Sequence, residues 1–365
     1  MAKKRVIPKP KSPKKSSGRR IKPVPLKISS RTWFITFGVL VLFVTWYITY
    51  ASNTAFRSPA FYIYVYRGMD AEALADSLSE RDAIKSKLTF RWMASIMNAE
   101  KIRPGMYRFE KGWGNFHLLS YINTEELRPT QLIDLAEYRS RKRTINELSK
   151  LTNTEEKELL GLLKDKEATD NLGGFTTESV YCIFRPGRYR VYKKMSAEEV
   201  LEYMSCQYDL FWNKDRQDQC AELDLTEDET VILASIVYSE TKQRKEMPDI
   251  AGVYINRLHD NMKLESDPTV LFAQSKMDSR RVTNEHLAIK SDYNTYKRKG
   301  LPPGPICIVP AFVIDEVLEY DQHAYYYFCA KEDMSGTHNF AKNFTEHKAN
   351  ADRYRKALNK KKIYK

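Results

Sequence analysis

Apolar and polar residues follow one another along this chain in three kinds of pattern, and the first is a single long apolar run. Residues 33–51, WFITFGVLVLFVTWYITYA, form nineteen consecutive positions without a charge. At a rise of about 1.5 Å per residue, a helix of this length approaches the roughly 30 Å hydrocarbon thickness of a bilayer. Trp33 at one end, and Trp46, Tyr47 and Tyr50 at the other, suit the two membrane interfaces. The run predicts one transmembrane helix.

The second pattern consists of short strands and helices, and it occurs twice. FYIYVYRG at residues 61–68 predicts a strand that ends at glycine, and DAEALADSLSE at residues 70–80 predicts an amphipathic helix. The motif R-P-G-x-Y-R occurs at residues 103–108 and again at 185–190, each time before a short helix. We therefore predict two β-helix-helix-β units in series, an order that resembles the LysM carbohydrate-binding module.

The third pattern is a helix that is apolar almost all round and ends in a carboxylate. T-E-D-E at residues 226–229 is a capping box, and VILASIVYSE follows it. Glu240 lies four residues after Ile236 and so shares its apolar face. A carboxyl group in such surroundings has a raised pKa, which suits general-acid cleavage of a glycosidic bond. The same spacing also fits a structural glutamate paired with Lys242 or Arg244.

The segments after this helix carry polar candidates for a site. A helix that starts at Pro248 presents Asn256 and Arg257, and Asp267 precedes a proline, as a helix N-cap often does. Residues 291–310, SDYNTYKRKGLPPGPICIVP, combine two tyrosines, an asparagine and four prolines. Such a preordered polar-aromatic loop is typical of a sugar-binding groove.

Two further elements are predicted from residue patterns. The charged residues 153–171 predict one helix with a solvated face, and residues 324–333 predict a central strand before a loop with His338 and Asn339.

The histidines form no H-E-x-x-H motif, so we predict no metal site and no cofactor. The cysteines form no C-x-x-C pair, which argues against a zinc ribbon or a disulfide framework but leaves room for one disulfide; they are Cys182, Cys206, Cys220, Cys307 and Cys329.

Charge changes this picture only at the N-terminus. The chain has 60 Lys and Arg and 47 Asp and Glu, a formal net charge of +13. Twelve of the basic residues and none of the acidic ones lie in residues 1–32, so the remainder is almost neutral. A nucleic-acid-binding protein needs a basic face on its folded part, and the nearly neutral remainder therefore argues against this class; we predict no nucleic-acid partner. The positive-inside rule places residues 1–32 in the cytoplasm and the body outside the cytoplasmic membrane. A cleaved signal peptide, the alternative, has a shorter apolar run.

Five blocks of sequence then point to one family. ILASIVYSET, GVYINRL, ESDPTV, SDYNTYKRKGLPPGPI and THNFAKNFTEH resemble, in this order, the signature blocks of the MltG-type (YceG-like) endolytic murein transglycosylases. In that family the pattern A-S-I-V-x-x-E commonly has an acidic residue at its first x as well as at its last position. The last position is the catalytic glutamate, and it falls on Glu240. Tyr238 replaces the first acidic residue that is common in the pattern.

The resemblance implies a membrane-anchored endolytic peptidoglycan lytic transglycosylase. Glu240 would protonate the oxygen between MurNAc and GlcNAc, and its carboxylate would then accept the proton of the MurNAc 6-hydroxyl, which leaves a 1,6-anhydroMurNAc end. Implied partners are peptidoglycan glycan strands, the inner (cytoplasmic) membrane and the peptidoglycan synthases. The substrate-binding residues implied with it are Asn256, Arg257, Asp267, Thr269, Tyr293, Asn294, Tyr296, Pro302, Pro303, Gly304 and His338.

The expected fold is α+β, with a mixed α/β catalytic domain after the anchor and the LysM-like units. Its expected parts are a basic cytoplasmic tail (1–32), the transmembrane helix (33–51), a LysM-like domain (58–130), a second LysM-like unit or linker (131–205) and a YceG-like catalytic domain (206–365).

Two other interpretations stay open. The first is a non-enzymatic, LysM-like peptidoglycan-binding anchor in which Glu240 is structural. The second is a two-carboxylate muramidase, which needs a partner such as Asp267 or Asp292 near Glu240.

Overall fold

The computed structural model describes residues 29–99, 102–275 and 283–360 of the chain. Contacts divide the chain into two compact parts, Met1–Tyr47 and Ile48–Lys365. Helix α1, Ser30–Tyr50, is long and apolar enough to cross a membrane, which agrees with the predicted apolar helix. Residues 1–28, most of the predicted basic tail, lie outside the described residues.

The first predicted β-helix-helix-β unit has the predicted order of elements. It is followed by one more helix, so that the series reads β1 (Ala60–Val65), α2 (Ala71–Glu80), α3 (Lys87–Ile96), β2 (Gly105–Glu110) and α4 (Asn115–Thr124). The two strands are antiparallel, with Ile63 opposite Tyr107, and both of these side chains are buried. Asp70 caps α2 because its carboxylate accepts a hydrogen bond from the amide of Ala73 at 2.8 Å.

The second unit contains more helices than the sequence predicts. Its elements are β3 (Thr130–Leu135), α5 (Arg141–Thr152), α6 (Glu156–Leu162), α7 (Lys166–Asn171), a 3-10 helix (Ser179–Ile183), β4 (Gly187–Tyr192) and α8 (Ala197–Phe211). The single helix predicted at residues 153–171 is wrong, because Asp165 accepts a hydrogen bond from the amide of Ala168 at 2.8 Å and starts a new helix.

The repeated R-P-G-x-Y-R motif makes the same hydrogen bond in both units. The hydroxyl of Tyr107 donates to the backbone carbonyl of Arg103 at 2.9 Å, and the hydroxyl of Tyr189 donates to that of Arg185 at 2.7 Å. Each tyrosine thus fixes the turn that the proline and glycine of its own motif introduce. The similarity of the two units to a LysM module stays a prediction.

The arginines that end the two motifs join the units to each other. Arg108 of β2 forms an ion pair with Glu202 of α8 at 2.8 Å. The guanidinium of Arg190 on β4 lies 4.3 Å from the centre of the Tyr64 ring on β1. Each unit therefore supplies a cation to the other, and the two pack as one body.

The rest of the chain is mainly helical. The remaining elements are α9 (Lys214–Glu222), α10 (Glu227–Glu240), a 3-10 helix (Arg244–Glu246), α11 (Met247–His259), α12 (Asp267–Ala273), α13 (Asn284–Ala288), α14 (Ala311–Leu318), β5 (Tyr327–Ala330), β6 (His338–Ala341) and α15 (Phe344–Lys360). Helix α10 starts at the predicted capping box of Thr226 and Glu229, and residues 230–238 are all buried. It contacts α11, α12 and α14, which explains why it has no polar face.

The strand predicted at residues 324–333 is wrong in its position within the fold. Within the described residues, β5 pairs only with β6, and its four residues are partly exposed. His338 and Asn339, predicted in a loop, lie on β6. The aromatic run is typical of a buried strand, but here the ring of Tyr327 packs against His347 of α15 at 5.3 Å instead of a second sheet.

The cysteines pack as small apolar residues. All five lie in the described part of the chain and none forms a disulfide there, so the disulfide that the sequence left open is not present. Four of them are buried, and burial raises the pKa of the Cys307 thiol to about 11.

The proline-rich loop before α14 packs closely against the second unit. A Cβ placed on Gly304 would lie 2.1 Å from the carbonyl oxygen of Glu178, so only glycine fits there. Arg141 of α5 donates to the carbonyl of Pro305 and, at 2.9 Å, to the hydroxyl of Tyr293. The loop is therefore attached to the second unit on both sides of Gly304.

We expect Gly304→Ala to lower the free energy of unfolding by about 3 kcal/mol, because the added methyl group meets backbone that cannot move aside. Gly161→Ala is the matched control, since nothing lies within 4 Å of a Cβ at this position in α6. The control should keep the stability or raise it by up to about 1 kcal/mol. Thermal unfolding of the full chain in detergent, followed by circular dichroism, measures the stability of both variants. If Gly304→Ala melts at the same temperature as the wild type, the close packing at Gly304 is contradicted.

Candidate active site

Glu240, at the end of helix α10, lines a cleft. Glu240 is the last residue of the helix, and Thr241 leaves it in an extended conformation. Ile236 and Val237, one turn earlier, are completely buried, whereas Glu240 itself is partly buried. The backbone thus turns away where the carboxyl group meets the cleft.

Two neutral hydroxyl groups bind the same oxygen of this carboxyl group. The hydroxyl of Tyr254 on α11 donates to Glu240 Oε1 at 2.8 Å, and Ser266 Oγ donates to the same atom at 2.6 Å. Tyr254 is almost completely buried, at 2 % exposure, and Ser266 at 1 %. Because both donors occupy Oε1, Oε2 is the oxygen that is left to carry a proton toward the cleft.

Ser266 is held in place by two buried threonines. Its amide donates to Thr295 Oγ1 at 3.0 Å, and its carbonyl accepts from Thr269 Oγ1 at 2.7 Å. The two threonine hydroxyls also bind each other at 2.9 Å. The blocks ESDPTV and SDYNTY therefore meet beneath Glu240, and Ser266 rather than the predicted Asp267 is the N-cap of α12. Because the Ser266 side chain makes no capping hydrogen bond, its hydroxyl group is available to bind Glu240.

The electrostatic surroundings favour the protonated form of Glu240. Burial raises the pKa of Glu240 to about 7, against the opposing effect of the hydrogen bonds from Ser266 and Tyr254, and the charge of Asp267 raises it further. Among the described residues, no basic side chain lies within ion-pair distance of Glu240. Arg244, one of the two cations that a structural glutamate would use, pairs with Glu316 at 2.6 Å.

The cleft around Glu240 has a volume of about 360 Å³ and a mixed lining. Helices α10 to α12, the segments that join them and the loop after α13 supply the polar part, and β5 and α15 supply an aromatic part. The lining residues are Glu240, Tyr254, Arg257, Leu264, Glu265, Asp267, Tyr296, Tyr327, Phe328, Phe344 and His347.

Three of the predicted substrate-binding residues line this cleft together with Glu240. Arg257 is 6 % exposed and donates to the carbonyls of Tyr326 and Leu264, at 2.7 and 2.9 Å. The hydroxyl of Tyr296 donates to Asp267 at 2.6 Å. Of these three, Asp267 and Tyr296 have the more accessible polar atoms.

Four other predicted substrate-binding residues lie outside the cleft lining and hydrogen-bond or pack against the segments around it. Asn256 donates to two backbone carbonyls after α14, and Asn294 donates to two in the segment before its own loop. Thr269 is completely buried beneath Ser266. Tyr293 donates to Glu178 of the second unit at 2.5 Å. These side chains position backbone segments around the cleft.

The last four predicted residues are also outside the lining. Pro302 is buried, Pro303 is exposed, and Gly304 packs on the second unit. His338 binds Glu246 through its amide, at 2.8 Å, and through Nδ1, at 3.1 Å. Its ring also contacts Phe328, which does line the cleft.

The candidate site also contains residues that the sequence patterns do not single out. Tyr254 belongs to the apolar stripe of α11 and has the sequence context of a core residue. Ser266 lies inside the ESDPTV block, next to the more conspicuous Asp267. Tyr327, Phe344 and His347 come from two separate elements, and only the fold brings them to one cleft.

The position where the family pattern departs is a packing position here. Tyr238, which replaces the usual acidic residue, is 5 % exposed. The guanidinium of Arg139, from the second unit, lies 3.9 Å from the centre of its ring. A cation–π contact thus occupies the place of a carboxylate, and Glu240 is the one carboxyl group of this motif.

No cluster of three or more His, Cys, Asp or Glu side chains in the described ranges is arranged to hold a metal ion. The cleft itself offers carboxyl and hydroxyl groups, which suit proton donation from Glu240 and hydrogen bonding to a polar ligand.

Comparisons with known proteins identify the family and agree with the fold. The sequence model of the YceG-like family matches residues 63–353. A Bacillus subtilis (strain 168) protein named endolytic murein transglycosylase is 27 % identical over 316 residues, which cover 80 % of this chain and 84 % of that protein. A Streptococcus pneumoniae (strain R6) protein of the same name is 28 % identical over 192 residues, which cover 52 % of this chain and 33 % of the pneumococcal protein.

A solved structure extends the comparison to three dimensions. The crystal structure of a YceG-like protein from Listeria monocytogenes is 20 % identical and superposes with a TM-score of 0.51, covering 80 % of this chain and 98 % of that one. At this identity the likeness concerns the fold alone. Because the family model spans most of the sequence, the chain belongs to the YceG-like family.

Proposed function

We propose that this protein is a peptidoglycan lytic transglycosylase with Glu240 as its single general acid and base. The observation that carries the proposal is one partly buried carboxyl group in a cleft, bound on a single oxygen by Tyr254 and Ser266, whose pKa burial raises to about 7. The relatives named endolytic murein transglycosylase supply the substrate class, a glycan strand cut within its length.

The reaction needs one carboxyl group because the substrate supplies the nucleophile. Protonated Glu240 Oε2 donates its proton to the oxygen that links MurNAc to GlcNAc, and the bond from that oxygen to C1 of MurNAc breaks. The 6-hydroxyl of the same MurNAc then attacks C1 and gives its proton to the Glu240 carboxylate. A 1,6-anhydroMurNAc end and a free GlcNAc 4-hydroxyl result, no water is consumed, and the acid is regenerated.

Tyr254 and Ser266 act in both halves of this cycle. In the first half they keep the proton of Glu240 on Oε2, the oxygen that is available to the cleft. In the second half they stabilise the carboxylate that forms on proton donation, since hydrogen bonds to the charged form are the stronger ones. We therefore assign them positioning roles.

Helix α1 is proposed as a single membrane anchor. It is an unbroken apolar helix near the N-terminus, and the basic residues that precede it favour a cytoplasmic N-terminus. This places the cleft on the outer side of the cytoplasmic membrane, where nascent glycan strands are made. Contact with peptidoglycan synthases is a further expectation from the family resemblance.

One observation favours a second candidate, hydrolysis by a muramidase. Asp267 lines the same cleft as Glu240 and offers the second carboxylate that this reaction needs. Asp292, the other candidate, instead pairs with Arg298 on the surface, with 63 % of its side chain exposed. The products separate the two reactions, because an anhydro end is lighter than a hydrolytic end by one water.

We expect Glu240→Gln to abolish cleavage of uncrosslinked glycan strands and to leave strand binding intact, because the amide keeps the shape of the side chain but cannot donate an acidic proton. The loss should exceed a thousandfold in kcat/KM. Mass spectrometry of wild-type products should show anhydro ends only. Hydrolytic ends would favour the muramidase, and a wild-type chain that binds strands without cutting them would favour the non-enzymatic anchor.

The pH dependence should report the pKa of Glu240. The acid form is required, so kcat/KM should be lost as the pH rises through about 7. Ser266→Ala removes a donor to the charged form, which raises the pKa of Glu240 and moves this alkaline limb upward by about one pH unit while kcat falls. Ser266→Thr keeps the hydroxyl group and should restore the wild-type profile. A Ser266→Ala variant that loses activity with an unshifted profile would show a purely structural role.

The same group should make stability depend on pH. The folded-state pKa of about 7 lies above the ordinary value of 4.5, so the stabilisation is complete below about pH 4.5 and is lost as the pH rises through 7. Glu240→Gln removes this loss. Relative to the wild type, the variant should gain about 3 kcal/mol between pH 4.5 and pH 8.5. Denaturant unfolding at the two pH values tests this, and a constant difference would mean an ordinary, solvated carboxylate.

A further inference from the structure

The aromatic part of the cleft lining forms one cluster. The ring of Tyr327 on β5 stacks on that of His347 at 5.3 Å, and Phe344 contacts both rings, at 6.1 and 6.2 Å. All three side chains line the cleft that holds Glu240. Nothing in the acid–base mechanism uses them, so their presence in the cleft calls for a different role.

Phe344 is the exposed member of this cluster, with 63 % of the residue accessible to solvent. Single exposed apolar residues are common and mean little by themselves. Phe344 differs because it belongs to the wall of a cleft and because it is fixed in place. Asn343 accepts a hydrogen bond from the amide of Glu346 at 3.0 Å and donates to its carboxylate at 2.9 Å, so α15 starts from a capped first turn.

The cluster presents an uncharged surface. Burial and the nearby charge of Arg257 lower the pKa of His347, so its imidazole is neutral at neutral pH. Its Nδ1 is shielded from solvent and has no hydrogen-bond partner among the described residues. An apolar aromatic wall beside a polar one suits a ligand that has one apolar and one polar side.

A pyranose ring is such a ligand. Its axial C–H groups form an apolar face, while its hydroxyl groups point outward around the ring. Aromatic side chains bury the C–H face, and a few placed polar groups bind the hydroxyls. The cleft holds both kinds of group, with Asp267 and Tyr296 as the accessible polar ones.

We propose that Phe344, supported by Tyr327 and His347, is a saccharide-stacking subsite that holds one sugar ring of the glycan strand beside Glu240. The identity of the strand rests on the proposed function, but the stacking itself does not require catalysis. The hydrogen bonds of Asn343 and Glu346 hold the backbone that carries Phe344, so binding a sugar there costs less conformational entropy than binding at an unsupported loop.

The test compares three substitutions of one side chain in the full chain in detergent, with uncrosslinked glycan strands as substrate. Phe344→Ala should raise KM about tenfold and change kcat less than twofold, because a stacking contact is lost and Glu240 is untouched. Phe344→Tyr keeps the ring face and should behave as the wild type. Phe344→Leu keeps an apolar side chain of similar size without a ring face, and it should resemble Phe344→Ala.

Two results would overturn the proposal. If Phe344→Leu retains the wild-type KM, the position needs only apolar area, as a protein-docking surface would. If Phe344→Ala retains it, the ring does not contact the sugar.

A binding measurement separates this proposal from the proposed function. In the Glu240→Gln background, the affinity for the same strands is measured by calorimetry with and without Phe344→Ala. A tenfold weaker binding supports the subsite even if the wild-type chain proves unable to cut glycan. Equal binding in the two variants rejects the subsite even if the wild-type chain is an active transglycosylase.

Discussion

The burial of one carboxyl group, that of Glu240, is the constraint around which this structure is arranged. Residues 230–238 of helix α10 are all buried, and the helix packs against α11, α12 and α14, so this stretch offers no solvated face. A glutamate at the end of such a helix must either turn outward, pair with a cation, or be satisfied by neutral donors. The fold provides the third solution, which keeps the proton on the acid near neutral pH.

The choice of neutral donors has a physical reason. A cation bound to Glu240 would hold the pKa below its ordinary value and leave a carboxylate that cannot donate. Arg257 lines the same cleft, yet its guanidinium binds the backbone carbonyls of Lys263 and Leu264 and the carboxylate of Glu265. The hydroxyls of Tyr254 and Ser266 orient the acid while opposing only part of the effect of burial.

The second unit supports this arrangement from a distance in the sequence. Arg139 covers the ring of Tyr238 on α10, and Arg141 binds the loop that carries Tyr293. Position 238 is thus filled by an aromatic ring under a cation, a contact that needs no carboxylate. Glu240 is therefore the one carboxyl group in residues 234–240.

The sequence by itself determined the elements whose signals are local: the apolar run of α1, the capping box that starts α10, the repeated turn motif, and Glu240 on an apolar face. Each of these signals is contained in one continuous stretch of at most nineteen residues. It could not determine which hydroxyl groups meet Glu240, because Tyr254 has the sequence context of a core residue and Ser266 stands beside Asp267, which the sequence predicts as the helix cap. It also took β5 for a central strand, since an aromatic run looks the same whether it is covered by a sheet or lines a cleft. Those outcomes depend on how α11, α12, β5 and α15 pack around α10, and only the tertiary structure decided them.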